Sequence, residues 1–150
     1  MAKDVSSKIC NLYDKFKNEN ICVMNCPYLE EVKSISMVSP KSGKFHIGIN
    51  YKDISSEREE YCILMEEKAH YDIGIVQSNV DSNFLLDRII RDKNERRAKK
   101  LLTDRTIGKE NIIKWIKEYE YIDLLAMADE FGVTPSIVHD ALLVYGLLPA

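Results

Sequence analysis

The chain has 150 residues, is 45% hydrophobic and 30% charged, and carries a formal net charge of −3. That size allows one domain with a sizeable core, and no apolar run nears the roughly 18 residues a bilayer crossing needs, which argues against a membrane partner. The opening MAKDVSSKIC has no apolar segment of secretory type, so Cys10, Cys22, Cys26 and Cys62 are expected to be reduced thiols in a cytoplasmic protein.

Val5, Ile9, Leu12 and Phe16 recur at helical spacing and predict an amphipathic helix over about the first 18 residues. ICVMNCP follows, short, rich in β-formers and ended by Pro27. In VKSISMV, Ile35 and Met37 alternate with serines; in KFHIGIN, Phe45, Ile47 and Ile49 alternate with His46, Gly48 and Asn50. The Ser39-Pro-Lys-Ser-Gly43 stretch between these two runs is turn chemistry and predicts a hairpin. Beyond Asp53 the pattern is helical. Ser56 and Glu59 have capping-box spacing and start a helix that runs to about Asp72, ahead of Gly74. After the polar break QSNVDSN, helices are expected over Asp92–Leu102 and Lys109–Tyr119. Asp123 and Thr134 then cap two more, the second with Pro135 in its first position. The expected fold class is α+β: a small N-terminal antiparallel or mixed sheet of about three strands packed on a helical bundle. A single domain is expected, with a helix and sheet over 1–53, central helices over 54–105 and C-terminal helices over 106–150.

One stretch carries chemistry: Met65-Glu-Glu-Lys-Ala-His-Tyr-Asp-Ile-Gly74. At about 100° per residue, Cys62, Ile63, Glu66, Ala69, His70 and Ile73 share a helix face. Glu66 and His70, one turn apart, converge there, with Glu67 just to the side. A carboxylate facing a core is costly unless compensated, and a divalent metal would compensate it. The spacing matches a His-Glu-x-x-His metallopeptidase helix with Glu66 in the first position. The competing reading leaves Glu66 and Glu67 on the surface beside Lys68. Glu95 is the candidate third ligand, because in NERRAKKLL it shares a face with Ala98 and Leu102. Its alternative is an i, i+4 surface pair with Lys99. Two inward-facing carboxylates and a histidine on separate helices favour the metal. Zinc is the default, and Mn2+ or Fe2+ would suit the same donors.

ILMEEKAHYDIG followed by NERRAKKLL resembles the ImmA/IrrE family of small metallopeptidases of phages and mobile elements. The resemblance extends to the order of elements over nearly the whole chain, and to Glu in the first motif position, which phage-type members carry. It implies a zincin-like fold, Glu66, His70 and Glu95 as metal ligands, and Glu67 as the general base that takes a proton from water. It also implies cleavage of one intracellular protein, a DNA-binding repressor of the same element, so that the chain would act as an anti-repressor. Lys68 and Ala69 stand where Leu-Gly is usual. Lys68 is expected to point to solvent, and Ala69 to add a methyl near the metal. An edge strand is the natural cradle for an extended peptide, and KFHIGIN, with Phe45, His46 and Ile47, is expected to be that edge. His46 on its polar side could assist, or be a half-exposed strand residue.

LLAMADEFGVTPSIVHDALLVYG has helix-turn-helix spacing, with Ala128, Gly132 and Val138 in the small, turn-glycine and buried-aliphatic positions. Pro135, Ser136, His139 and Asp140 would then face a groove. DNA affinity rests largely on Lys and Arg meeting phosphates. Residues 118–150 have neither, and carry Glu118, Glu120, Asp123, Asp129, Glu130 and Asp140. Direct nucleic-acid binding is therefore disfavoured, and the basic run from Arg91 to Lys100 reads as a solvated helix face. Cys22 and Cys26 have half the spacing of a zinc site but no paired partners in the sequence, and read as ordinary thiols. The expectation is a metal-dependent endopeptidase. The alternatives are a non-catalytic scaffold that captures a repressor, and a helix-turn-helix DNA-binding regulator.

Overall fold

Asp4 starts the first helix by accepting the backbone N–H of Ser6 at 3.2 Å. Helix α1 (Val5–Asn18) then buries Ile9, Leu12 and Phe16, the stripe its periodicity predicts. The computed structural model describes residues 4–74 and 85–148, and these fall into two compact units, Met1–Asn83 and Phe84–Ala150. The polar break at 77–83 lies outside the described residues.

In the first unit, strands β1 (Cys22–Asn25), β2 (Ser34–Val38) and β3 (Phe45–Ile49) form a mixed sheet in the order β1-β3-β2. β2 and β3 are the expected antiparallel hairpin, with Ser36 opposite Ile47. Its turn closes with the Gly43 N–H donating to the Ser39 carbonyl at 2.8 Å. Gly43 holds φ +68°, a conformation open to glycine without strain. β1 runs parallel to β3, with Cys22 beside His46 and Val23 beside Ile47.

Helix α2 (Glu57–Ile73) begins where Ser56 Oγ accepts the Glu59 N–H at 3.1 Å and ends at left-handed Gly74. It packs against α1. Tyr13 Oη, on α1, donates to Glu60 Oε1 at 2.6 Å and lies 2.7 Å from Tyr51 Oη in the 3-10 turn Tyr51–Asp53, which ties the three elements together. Phe45, Ile47 and Ile49 of β3 share a sheet face with Ser34, Ser36 and Val38 of β2. α2 lies on that face, where the Phe45 and Tyr71 rings meet edge-on at 5.1 Å. Phe16, Ile47, Ile49 and Leu64 are fully buried.

The second unit is helical: α3 (Leu85–Thr106), α4 (Lys109–Tyr119), α5 (Leu124–Phe131) and α6 (Pro135–Val144). Asp123 caps α5 by accepting the N–H groups of Leu125 and Ala126. Helix α3 exceeds its expected Asp92–Leu102 span. At its C-terminal end a Lys100–Asp104 pair and a 2.7 Å bond from Tyr145 Oη to Asp104 support turns without an apolar signature. α3 and α5 both pack on α6, around Leu102, Met127, Val133, Val138 and Leu142. Ala128 and Val138 are buried and Gly132 is left-handed, as the helix-turn-helix spacing requires; Pro135, Ser136 and His139 are exposed. Among the described residues no helix is long and apolar enough to cross a membrane.

Candidate metal and catalytic site on helix α2

The four residues after Glu66 are all buried: Glu67, Lys68, Ala69 and His70. α1 covers one side of α2 and the sheet another, so the buried arc is wider than a single amphipathic stripe and displaced from the one expected.

The expectation that Glu66 faces inward is corrected. Its side chain is 55% exposed, and Glu67 takes the inward place. Glu66 still stands beside His70, with Oε1 4.0 Å from Nε2. One turn of helix therefore brings a carboxylate oxygen and an imidazole nitrogen to one point, with the histidine held in the protein and the glutamate reaching from its rim.

Glu67 points to the sheet. Ser34 Oγ, on β2, donates to Glu67 Oε1 at 2.7 Å, while Oε2 is buried with no hydrogen-bond partner. Burial pushes the Glu67 carboxyl above its ordinary range. The Ser34 hydrogen bond, nearby His70 and, more weakly, the buried Ser36 hydroxyl oppose that rise, and Glu66 adds to it. The result is a carboxyl fixed in orientation through Oε1, whose Oε2 has no hydrogen bond of good geometry although the Ser36 hydroxyl lies near the group.

Lys68 does not point to solvent. Its side chain is 8% exposed, and Nζ sits 2.6 Å from Glu19 and 2.7 Å from Asp72, over the Tyr71 ring. Burial alone would lower its pKa, but hydrogen bonds to Asp72 and Glu19 outweigh that and keep it charged. Glu19 closes α1, so this pair pins α1 to α2. Ala69 is wholly buried.

The peptide-cradle expectation for Phe45, His46 and Ile47 is also corrected. β3 is the central strand, hydrogen-bonded on both sides, and has no edge to offer. Phe45 and Ile47 are core residues, and His46 lies on the sheet face opposite Glu67. The edge strand whose side chains reach Glu67 is β2, through Ser34. The serines of VKSISMV marked that face, but which strand took the centre was not readable from alternation alone.

Glu95 belongs to the second unit, on α3, half-buried and sharing a face with buried Ala98 and Leu102, as its spacing predicts. Among the described residues no group of three His, Cys, Asp or Glu side chains is gathered as a metal set. The first unit by itself contributes the Glu66–His70 pair and the inward Glu67. Comparison with known families, characterised proteins and solved structures finds no match.

The donors suit a divalent ion of the zinc class: a carboxylate oxygen and an imidazole nitrogen one helical turn apart. The unsatisfied Glu67 Oε2 beside them fits such a site too, since a buried carboxylate oxygen without a partner is costly in a purely structural role.

Proposed function

We propose that this chain is a metal-dependent endopeptidase with a zincin-like active site on α2. The observation that carries the reading is Glu67: a buried carboxylate, oriented by Ser34, with its second oxygen unbonded, next to a Glu66–His70 pair. Glu66 and His70 would hold the ion, and Glu95 keeps the place of third ligand that the ImmA/IrrE resemblance gives it. When bound, a zinc ion would supply Lewis acidity toward water and the scissile carbonyl.

The chain's own groups account for the remaining chemistry. Glu67 Oε2 accepts the proton of the attacking water and returns it to the leaving amine. Its raised proton affinity brings it closer to working pH than an exposed glutamate would be. Ser34 keeps Oε1 occupied, so the proton has one destination. The free side of β2 offers unpaired backbone groups along which an extended peptide can lie, passing the strand that carries Ser34. The substrate is proposed to be an intracellular DNA-binding repressor of the same mobile element, cleaved at one place.

The test is a comparison of new protein N-termini in cells expressing the wild type or Glu67→Gln. One or a few cleavages in a DNA-binding regulator, absent with the variant, support the reading. Identical profiles would make the chain a binding scaffold, and indiscriminate degradation would contradict the single-substrate proposal.

A further inference from the structure

The far face of the sheet, away from α2, is rich in sulfur. Along β1 and just beyond it the chain reads Cys22-Val-Met-Asn-Cys26, so alternation puts Cys22, Met24 and Cys26 on one face. The packing at Gly48 identifies that face: a Cβ there would lie 2.7 Å from Cys26 Sγ and 3.2 Å from Ile35 Cγ2. Gly48 alternates with Ile47 and Ile49, which point toward the helices.

The register then lines up an unusual row. Cys22 is the parallel partner of His46, and His46 is the antiparallel partner of Met37. A thiol, an imidazole and a thioether therefore stand side by side on three adjacent strands, about 4.8 Å from strand to strand. Met24 belongs to the neighbouring row as the partner of Gly48, where Cys26 Sγ and Ile35 Cγ2 cover the glycine, so its own exposed side chain stands two positions along the strand from Cys22. Cys22 and His46 are half-buried, while Met24 and Met37 are 40% and 48% exposed. His46 Nδ1 is buried and has no hydrogen-bond partner. Cys22 is a free thiol. Cys26 is engaged elsewhere, buried over Gly48 with Sγ 3.4 Å from Tyr28 Oη.

Each feature alone has an ordinary explanation; what points to a ligand is that Cys22, His46 and Met37 share one register row with Met24 on the next, all on one face of the sheet. Thioether sulfur is a poor donor to hard divalent ions and a good one to soft cations, and thiolate with imidazole suits the same class. Methionine's three rotatable bonds let Met24 and Met37 reach over a neighbouring strand, which shorter side chains could not do. We propose that Cys22, His46, Met24 and Met37 form a binding site for one soft monovalent cation of the Cu(I) class. Binding converts the Cys22 thiol to thiolate, releasing its proton to solvent, and uses the unbonded nitrogen of His46. This site is separate from the α2 donors, which lie on the other side of the sheet.

The experiment is anaerobic titration of the zinc-loaded full chain with Cu(I) in competition with bathocuproine disulfonate. The expected result is one equivalent retained. Cys22→Ser or His46→Ala should weaken retention roughly 10- to 100-fold. The near-isosteric double variant Met24→Leu/Met37→Leu, which conserves volume and fold, should weaken it about tenfold. Glu66→Ala should leave it unchanged. Absence of Cu(I) retention by the wild type overturns the proposal, as does full retention by the Leu double variant or by Cys22→Ser. Loss of retention on replacing exposed Cys10 would show an adventitious thiol and overturn it as well, and so would displacement of Cu(I) by equimolar Zn2+.

Discussion

Replacing Glu67 by Gln removes one buried charge and almost nothing else. The amide carbonyl can still accept the 2.7 Å hydrogen bond from Ser34, and the side-chain volume is conserved. The native carboxylate leaves Oε2 buried without a partner. An unsatisfied buried polar group costs about 1–3 kcal/mol and a charged one more, so in metal-free protein the exchange should stabilise the fold by about 1 kcal/mol at neutral pH. For a chain of 150 residues that corresponds to a rise in Tm of about 2–4 °C. The pH dependence has a definite sign. Burial raises the Glu67 pKa in the folded state above its unfolded value of about 4.3. Between those two values the folded protein holds more protons, so native stability falls as pH rises through that window. The advantage of Gln should be absent below about pH 4 and complete above the raised folded value. Zinc should shrink it by compensating the native carboxylate. The assay is thermal unfolding followed by circular dichroism, with chelator and then with zinc, at both pH extremes. A Glu67→Gln protein that is no more stable than wild type at neutral pH without metal would refute the claim that this carboxylate is held at a cost for function.

Lys68→Met should lose about 1–3 kcal/mol in urea unfolding, because Glu19 and Asp72 lose a shared cation that is itself almost wholly buried; their own partial exposure keeps the loss below that of a fully enclosed pair. Gly48→Ala should cost about 1–3 kcal/mol by driving a methyl into Cys26 Sγ, and Cys26→Ala in the same chain should recover much of it, a coupling readable from a double-mutant cycle. Ser34→Ala removes a hydrogen bond that lowers the Glu67 pKa, so the acidic limb of any peptidase pH profile should move to higher pH. Asp123→Ala should cost about 1 kcal/mol by uncapping α5, seen as a lower urea midpoint with unchanged slope.

The local signals in the chain were sufficient for most elements. The apolar stripe of α1, the turn residues before Gly43, the Ser56 cap and the limits of α4 each depend on neighbours within a few positions. What escaped the sequence reading depends on distant partners. Glu67 rather than Glu66 takes the inward place because α2 is covered on two sides, and a wheel drawn for one buried face misplaces its arc. The burial of Lys68 follows from Glu19 at the far end of α1, a pairing with no local mark. β3 occupies the centre of the sheet because β1 pairs with it in parallel although β2 lies between them along the chain, and alternation carries no information on strand order. The same parallel register places Cys22 next to His46, two residues that look unrelated along the chain.

Whether α2 holds a metal ion, as proposed, is decided by elemental analysis of protein purified with zinc, wild type beside Glu66→Ala and His70→Ala, with Cys22→Ser as the control for the opposite face of the sheet. About one zinc per wild-type chain is expected, lost in both α2 variants and retained in Cys22→Ser. A wild type without zinc, or zinc that persists when Glu66 and His70 are both replaced, would contradict it.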